Sequence, residues 1–237
     1  MAFHRAGGPF AATASDDGTC VTWDASRAAP VGAASGHAAA VYGTSYAPAS
    51  FGGGDVFATC SFDRTVRVWD PRAPGIRNDT IAGFESSGGA CPVACVATFR
   101  GHDDDVVGVD FHPAGTVVAS GSDDGTCRAW DLRAVSSSVD SNSNAKETSR
   151  AAVASFALAG EAKRVRFSPT GDAVAAAGGD GSVYVAEGRS LDVVAVLPGH
   201  RDAVFDVAWI RDGRGIVSAS HDKTWSCLLY TSDAADE

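Results

Sequence analysis

One stretch, residues 99–133, governs what this chain of 237 residues can fold into, because the rest of the sequence lies over it as complete or damaged copies. A unit of this length is one supersecondary element, which buries its apolar face only by stacking on neighbouring copies. Inside it, Val107, Val109 and Phe111 alternate with Val106, Gly108 and Asp110, the period-two pattern of a strand with two unequal faces. The HPAG tetrapeptide at 112–115 reads as a turn and 116–122 as a second strand. Asp123, Asp124 and Gly125 form a tight hairpin turn in which the glycine supplies positive φ, and 126–131 is a third strand.

The unit opens on Gly101-His102 and closes on Trp130-Asp131. That bracket and its period strongly resemble the WD40 repeat, and the resemblance implies an all-β propeller whose blades are four-stranded sheets. It also implies a buried hydrogen-bonded relay of His102, Ser120, Asp124 and Trp130. An unpaired buried polar group costs about 1–3 kcal/mol, so the four residues are kept or lost together. An Asp, a Ser and a His in one motif also invite a catalytic triad, but blade-locking accounts for all four positions and their spacing.

The copies differ in completeness. Residues 1–24 overlay only the later part of the unit: Thr13, Asp17 and Trp23 are relay positions whose His is missing, and the chain reads as starting in mid-blade. The second copy, 36–70, offers a full relay of His37, Thr59, Asp63 and Trp69, with FGGG at 51–54 lengthening a loop. The third is 101–131. The fourth, 156–187, keeps the strand pattern and the GGDGS turn but has Ala176, Ala186 and Glu187 where the relay Ser, Trp and closing Asp would stand. The fifth, 199–226, restores His200, Ser218 and Asp222, with Leu228 at the Trp position. Residues 72–98 and 134–150 read as loop insertions, the second polar and aperiodic, as in a disordered segment. From Cys227 onward, CLLYTSDAADE looks like a translated sequencing adapter, so 227–237 is expected to be a non-native tail. Five copies with fragmentary ends imply an incomplete ring from a larger parent, seven-bladed by family habit.

Composition narrows the function classes. The formal charge is −10, or −7 without the tail's acids, which argues against nucleic acid as the main partner. No apolar run is long enough to span a bilayer and the N-terminus lacks a signal-peptide core, so a cytoplasmic location is expected, with peripheral association at the inner face of the plasma membrane where the resemblance below applies. Among six cysteines, Cys20 and Cys127 share the DGTC position and read as small core residues. Cys91 and Cys95 lie in the irregular insertion without the second pair a zinc site needs. There is no glycine-rich phosphate loop and no nucleophile with an unassigned base, so no enzyme, cofactor, metal or small-molecule substrate is expected.

ATFRGHDDDV (97–106), ASGSDDGTCRAWDLRA (119–134), the DGTCVTWD of the first copy and VLPGH (196–200) resemble the last five repeats of heterotrimeric G-protein β subunits. The resemblance implies a non-catalytic scaffold in signal transduction, with α and γ subunits as partners. In that family the loops after GH and the hairpin turns face the α subunit. Asp105 and Asp123 match acidic contact positions, whereas Ala40, Tyr42, Val107 and His221 stand where the family uses other residues, His221 replacing a Trp. No helix of the kind that coils with a γ subunit is visible. Two other readings compete. Trp69-Asp70-Pro71-Arg72 and Trp130-Asp131-Leu132-Arg133 fit W-D-x-R, which resembles an adaptor-docking box of cullin ubiquitin ligase substrate receptors carried by Arg72 and Arg133. The other is a generic WD40 scaffold of a multiprotein complex.

Overall fold

The computed structural model describes residues 1–5, 7–73, 91–134, 152–210 and 213–229. These form five sheets in chain order, antiparallel apart from one short parallel pairing, and none of them closes on itself. Sheet A holds β1 (Ala2–Phe3), β2 (Phe10–Ala14), β3 (Thr19–Asp24) and β4 (Ala29–Ser35). Sheet B is built from β5 (Val41–Tyr46), β6 (Phe57–Ser61) and β7 (Thr65–Asp70). After β8 (Cys91–Pro92), which joins sheet A, β9 (Ala94–Arg100) completes sheet B. Sheet C comprises β10 (Val106–Phe111), β11 (Val117–Ser122), β12 (Thr126–Asp131) and β13 (Ala154–Ala157). Sheet D comprises β14 (Ala162–Phe167), β15 (Ala173–Gly178), β16 (Ser182–Glu187) and β17 (Val193–Pro198). Sheet E has three strands, β18 (Val204–Trp209), β19 (Gly215–Ser220) and β20 (Trp225–Leu229).

β1 and β2 of sheet A pack on β5, and from there the first strand of each sheet packs on that of the next, through β10 and β14 to β18. Among the described residues, sheet E makes no comparable contact with sheet A. The molecule is a propeller fragment, an open arc of blades. Its core lies between sheets, where Val106, Val109, Phe111 and Val118 pack with Val66, Val68 and Phe99 of the preceding sheet.

The hairpin between second and third strands shows why the turn tolerates different sequences. Gly125 takes φ +77° there, as the DDG motif requires, but Arg64 and Lys223 occupy the same position in sheets B and E at φ 65° and 67°. Left-handed backbone costs a non-glycine residue roughly 1–2 kcal/mol. The preceding Asp offsets it: Asp63 Oδ1 accepts from Thr65 N at 3.0 Å, and Asp222 Oδ1 from Thr224 N at 2.8 Å.

A single carboxylate ties four sheets together. Asp110, 2% exposed on β10, accepts from Ser45 Oγ of sheet B at 2.9 Å and from Phe167 N of sheet D at 3.0 Å. It also pairs with Arg5, which follows the first strand of sheet A. A buried carboxylate is stable only with such partners.

Three sequence boundaries need correction. Phe99 and Phe156 lie on β9 and β13, the outer strands of the preceding sheets, so the sequence unit is offset from the sheet by one strand. The fourth copy therefore begins structurally at Ala162 rather than at residue 156. The insertion at 72–98 ends earlier than expected, because Cys91–Pro92 and Ala94–Arg100 are strands whose backbone groups find ladder partners. The blade pattern also does not stop at Cys227: Cys227 and Leu228 continue β20 opposite Val217 and Ile216. Residues 74–90 and 135–150 of the two expected insertions, and 230–237 of the expected tail, lie outside the described residues.

Candidate interaction face

The relay residues converge in sheets B and C. His37 Nδ1 lies 2.8 Å from Asp63 Oδ2 and its Nε2 lies 2.7 Å from Thr59 Oγ1, while Trp69 Nε1 donates to Thr59 Oγ1 at 2.8 Å. Sheet C repeats this: His102 Nδ1 to Asp124 Oδ2 is 2.8 Å, Nε2 to Ser120 Oγ is 2.7 Å, and Trp130 Nε1 donates to Ser120 Oγ at 2.8 Å. A carboxylate only accepts, so Nδ1 carries the proton. The indole N–H takes one lone pair of the hydroxyl oxygen and leaves the hydroxyl proton free to point at Nε2 of a neutral imidazole. Burial holds the His37 and His102 pKa values below the usual 6.5, against the opposing pull of Asp63 and Asp124. For Asp124, burial pushes upward, but bonds from Thr126 and His102 and from the Asp103 amide prevail and bring its pKa to about 2.

The remaining sheets show what happens when members are lost. In sheet E, His200 keeps Ser218 Oγ at 2.8 Å and Asp222 Oδ2 at 3.1 Å without an indole. In sheet A, Trp23 Nε1 donates to Thr13 Oγ1 at 2.8 Å, while Asp17 turns to Thr19. Sheet D substitutes a different pair: Tyr184 Oη donates to Asp180 Oδ2 at 2.7 Å and accepts from Ala159 N at 3.0 Å. The turn Asp survives there because a tyrosine on β16 reaches it.

These bonds engage the relay's imidazoles, hydroxyls and carboxylates with one another, and other exposed side chains lie on the rim above them. In sheets B, C, D and E the first strand carries a register shift at the same place, between Val41 and Gly43, Val106 and Gly108, Ala162 and Arg164, and Val204 and Asp206. A bulge leaves one residue out of the ladder and re-aims its side chain. The four residues so placed are Tyr42, Val107, Lys163 and Phe205. All four line one cavity of about 490 Å³, together with Phe62, Asp123, Arg164 and Asp206.

Its chemistry is mixed. Tyr42 and Phe62 stack at 5.6 Å between ring centres and stand 56% and 38% exposed. Phe205, 50% exposed, meets His221 edge-on at 5.7 Å, and His221 Nδ1 lies 2.9 Å from Asp202 Oδ2. Asp123 receives a bond from Lys163 Nζ at 3.0 Å, and Arg164 pairs with Asp206 at 3.1 Å. Asp105 does not line the cavity; its carbonyl accepts from Asp123 N at 2.9 Å. Burial raises the Asp105 pKa, with Asp104 and Asp123 adding repulsion. Sequence reasoning singled out Tyr42, Asp105, Asp123 and His221 and missed Phe62, Phe205 and Lys163. The available signal was position: Phe62 stands at the turn site of Asp123 and His221, and Phe205 and Lys163 stand at the site of Tyr42 and Val107.

Arg72 and Arg133 sit elsewhere, just past the third strands. Each folds back on its own preceding Asp: Arg72 Nε lies 3.0 Å from Asp70 Oδ1, and Arg133 Nη2 lies 2.8 Å from Asp131 Oδ2. Among the described residues, no cluster of His, Cys, Asp or Glu could hold a metal ion, and no helix is long and apolar enough to cross a membrane.

Comparison with known proteins places this geometry among interaction modules. The family model described as "WD domain, G-beta repeat" matches residues 29–70, 93–131 and 191–227. A guanine nucleotide-binding protein subunit beta from Zea mays is 31% identical over 234 residues, covering 94% of this chain and 48% of the relative. The subunit from Oryza sativa subsp. japonica is 29% identical over 234 residues, with the same 94% and 48% coverage. Nuclear distribution protein nudF from Aspergillus oryzae (strain ATCC 42149 / RIB 40) is 36% identical over 85 residues, or 36% of this chain and 14% of that protein. The chain thus spans about half the length of the maize and rice relatives it matches.

Proposed function

This chain belongs to the WD40-repeat family, and from that premise we propose that it is part of a G-protein β-like scaffold for signal transduction whose rim receives a G-protein α subunit. Repeats of this kind and relatives of this name support a protein-interaction scaffold. The observation that carries the narrower reading is the repeated bulge. Successive sheets aim their extra residue at one cavity, where Tyr42, Phe62 and Phe205 stand exposed with Asp123, whose backbone N–H bonds the Asp105 carbonyl. Exposed aromatics with charged neighbours are the composition of protein-binding hot spots.

Titration of the purified chain with a GDP-bound α subunit by biolayer interferometry tests this. Saturable binding is expected, and Asp105→Lys together with Asp123→Lys should weaken it at least about tenfold, since like charges facing across an interface cost several kcal/mol. Absence of binding by the wild-type chain, or unchanged affinity in the double variant, would overturn the assignment.

A further inference from the structure

A second cavity, of about 450 Å³, lies between sheets A and B at the opposite end of the strands from the rim. Its size is within the range of small-molecule sites. Phe10, Val31, Tyr46, Pro71 and Val93 form apolar walls, and Asp55 lines it as well. One wall exists because β8 crosses from sheet B to run parallel along β4, with Val93 N donating to Ala33 O at 2.9 Å. Gly32 permits that approach: a Cβ there would stand 2.7 Å from Thr22 Oγ1 and 2.9 Å from Val93 Cγ2.

Tyr46 is the informative residue. It is 3% exposed, and its ring is fixed between His4 and Phe57 at centroid distances of 5.4 and 5.7 Å. Its hydroxyl has no hydrogen-bond partner among the described residues. Burial, then Cys20 and Asp55, push its pKa up, so it stays a donor. The oxygen is not sealed off by protein, so it faces the cavity, where water or a ligand can satisfy it. The charged groups lining the cavity have partners: Arg27 pairs with Asp24 at 3.4 Å, Arg72 with Asp70 at 3.0 Å, and Asp55 Oδ1 lies 3.4 Å from His4 Nε2. Neither an anion nor a cation is favoured.

We propose that this cavity binds a small, neutral, largely apolar molecule bearing a hydroxyl group, whose oxygen accepts from Tyr46 and whose proton is offered to Asp55. Water can satisfy the phenol equally well, but a ligand that replaces it keeps the hydrogen bond and also removes apolar wall from solvent.

Equilibrium dialysis of the chain against 2-naphthol, with naphthalene as the hydroxyl-free counterpart, is the test. One saturable 2-naphthol site is expected. Tyr46→Phe should weaken 2-naphthol about 5- to 10-fold and leave naphthalene unchanged, the worth of one hydrogen bond. Val31→Trp, which fills the cavity from its partly exposed wall, should abolish binding of both. The proposal fails if wild-type chain shows no saturable 2-naphthol binding, or if a folded Tyr46→Phe variant binds it as tightly as wild type. Should Tyr46→Phe not fold, undiminished binding in Val31→Trp refutes it instead.

Discussion

Replacing Ser120 by Ala isolates the relay's contribution to stability. Ser120 is fully buried and its one oxygen serves two neighbours, accepting from Trp130 Nε1 at 2.8 Å and donating to His102 Nε2 at 2.7 Å. Truncation leaves an indole N–H and an imidazole nitrogen without partners. His102 is 6% exposed and Trp130 1% exposed, so water reaches neither freely. At about 1–3 kcal/mol for each orphaned group, the two together should cost about 3 kcal/mol once partial relaxation is allowed. Ser218→Ala is the internal control. Leu228 replaces the indole in sheet E, so only His200 Nε2 is orphaned and about 1–2 kcal/mol is expected. Urea unfolding followed by far-UV circular dichroism reads both. With a slope near 2 kcal/mol/M, Ser120→Ala should lower the midpoint by about 1.5 M and Ser218→Ala by under about 1 M. Equal shifts, or a loss below about 0.5 kcal/mol for Ser120→Ala, would show that the indole leg carries no energy and refute the account.

The same geometry predicts acid sensitivity in two stages. His37 and His102 have folded pKa values below the ordinary 6.5, so the unfolded chain binds their protons first and stability falls as pH drops below about 6.5. Asp63 and Asp124 are depressed below the ordinary 3.8, so their contribution, present above about pH 4, is lost as pH falls toward 2. A urea midpoint that stays flat between pH 7.5 and 5.5 would contradict the first stage. Asp110→Asn should cost more than about 2 kcal/mol, because it removes the charge that Arg5 faces and turns an amide N–H₂ toward either the Ser45 hydroxyl on one oxygen or the Phe167 N–H on the other; a urea midpoint equal to wild type would count against its linking role. Thiol reactivity should divide by burial: Ellman's reagent should label exposed Cys91 and Cys227 quickly, while Cys20 and Cys60, pushed up to about 12, and Cys127, pushed higher still, should stay silent until denaturant is added. Fast native labelling of Cys127 would show that sheet C opens more readily than its packing implies.

Strands, hairpin turns and relay membership were legible in the sequence because each depends on residues within one copy. Alternating Val and Phe needs only a pleat, DDGT needs only a two-residue reversal, and His102 reaches Asp124 across 22 residues of a single hairpin system. Relations between copies were decided by tertiary structure alone. Arg5 meets Asp110 across 105 residues, β8 joins sheet A between two strands of sheet B, and Phe99 and Phe156, which open sequence units, lie on the outer strands of the preceding sheets. The rim follows the same logic. Phe62, Phe205 and Lys163 are marked in the sequence only by their positions within the repeat, and the cavity they line exists only once successive sheets stand side by side.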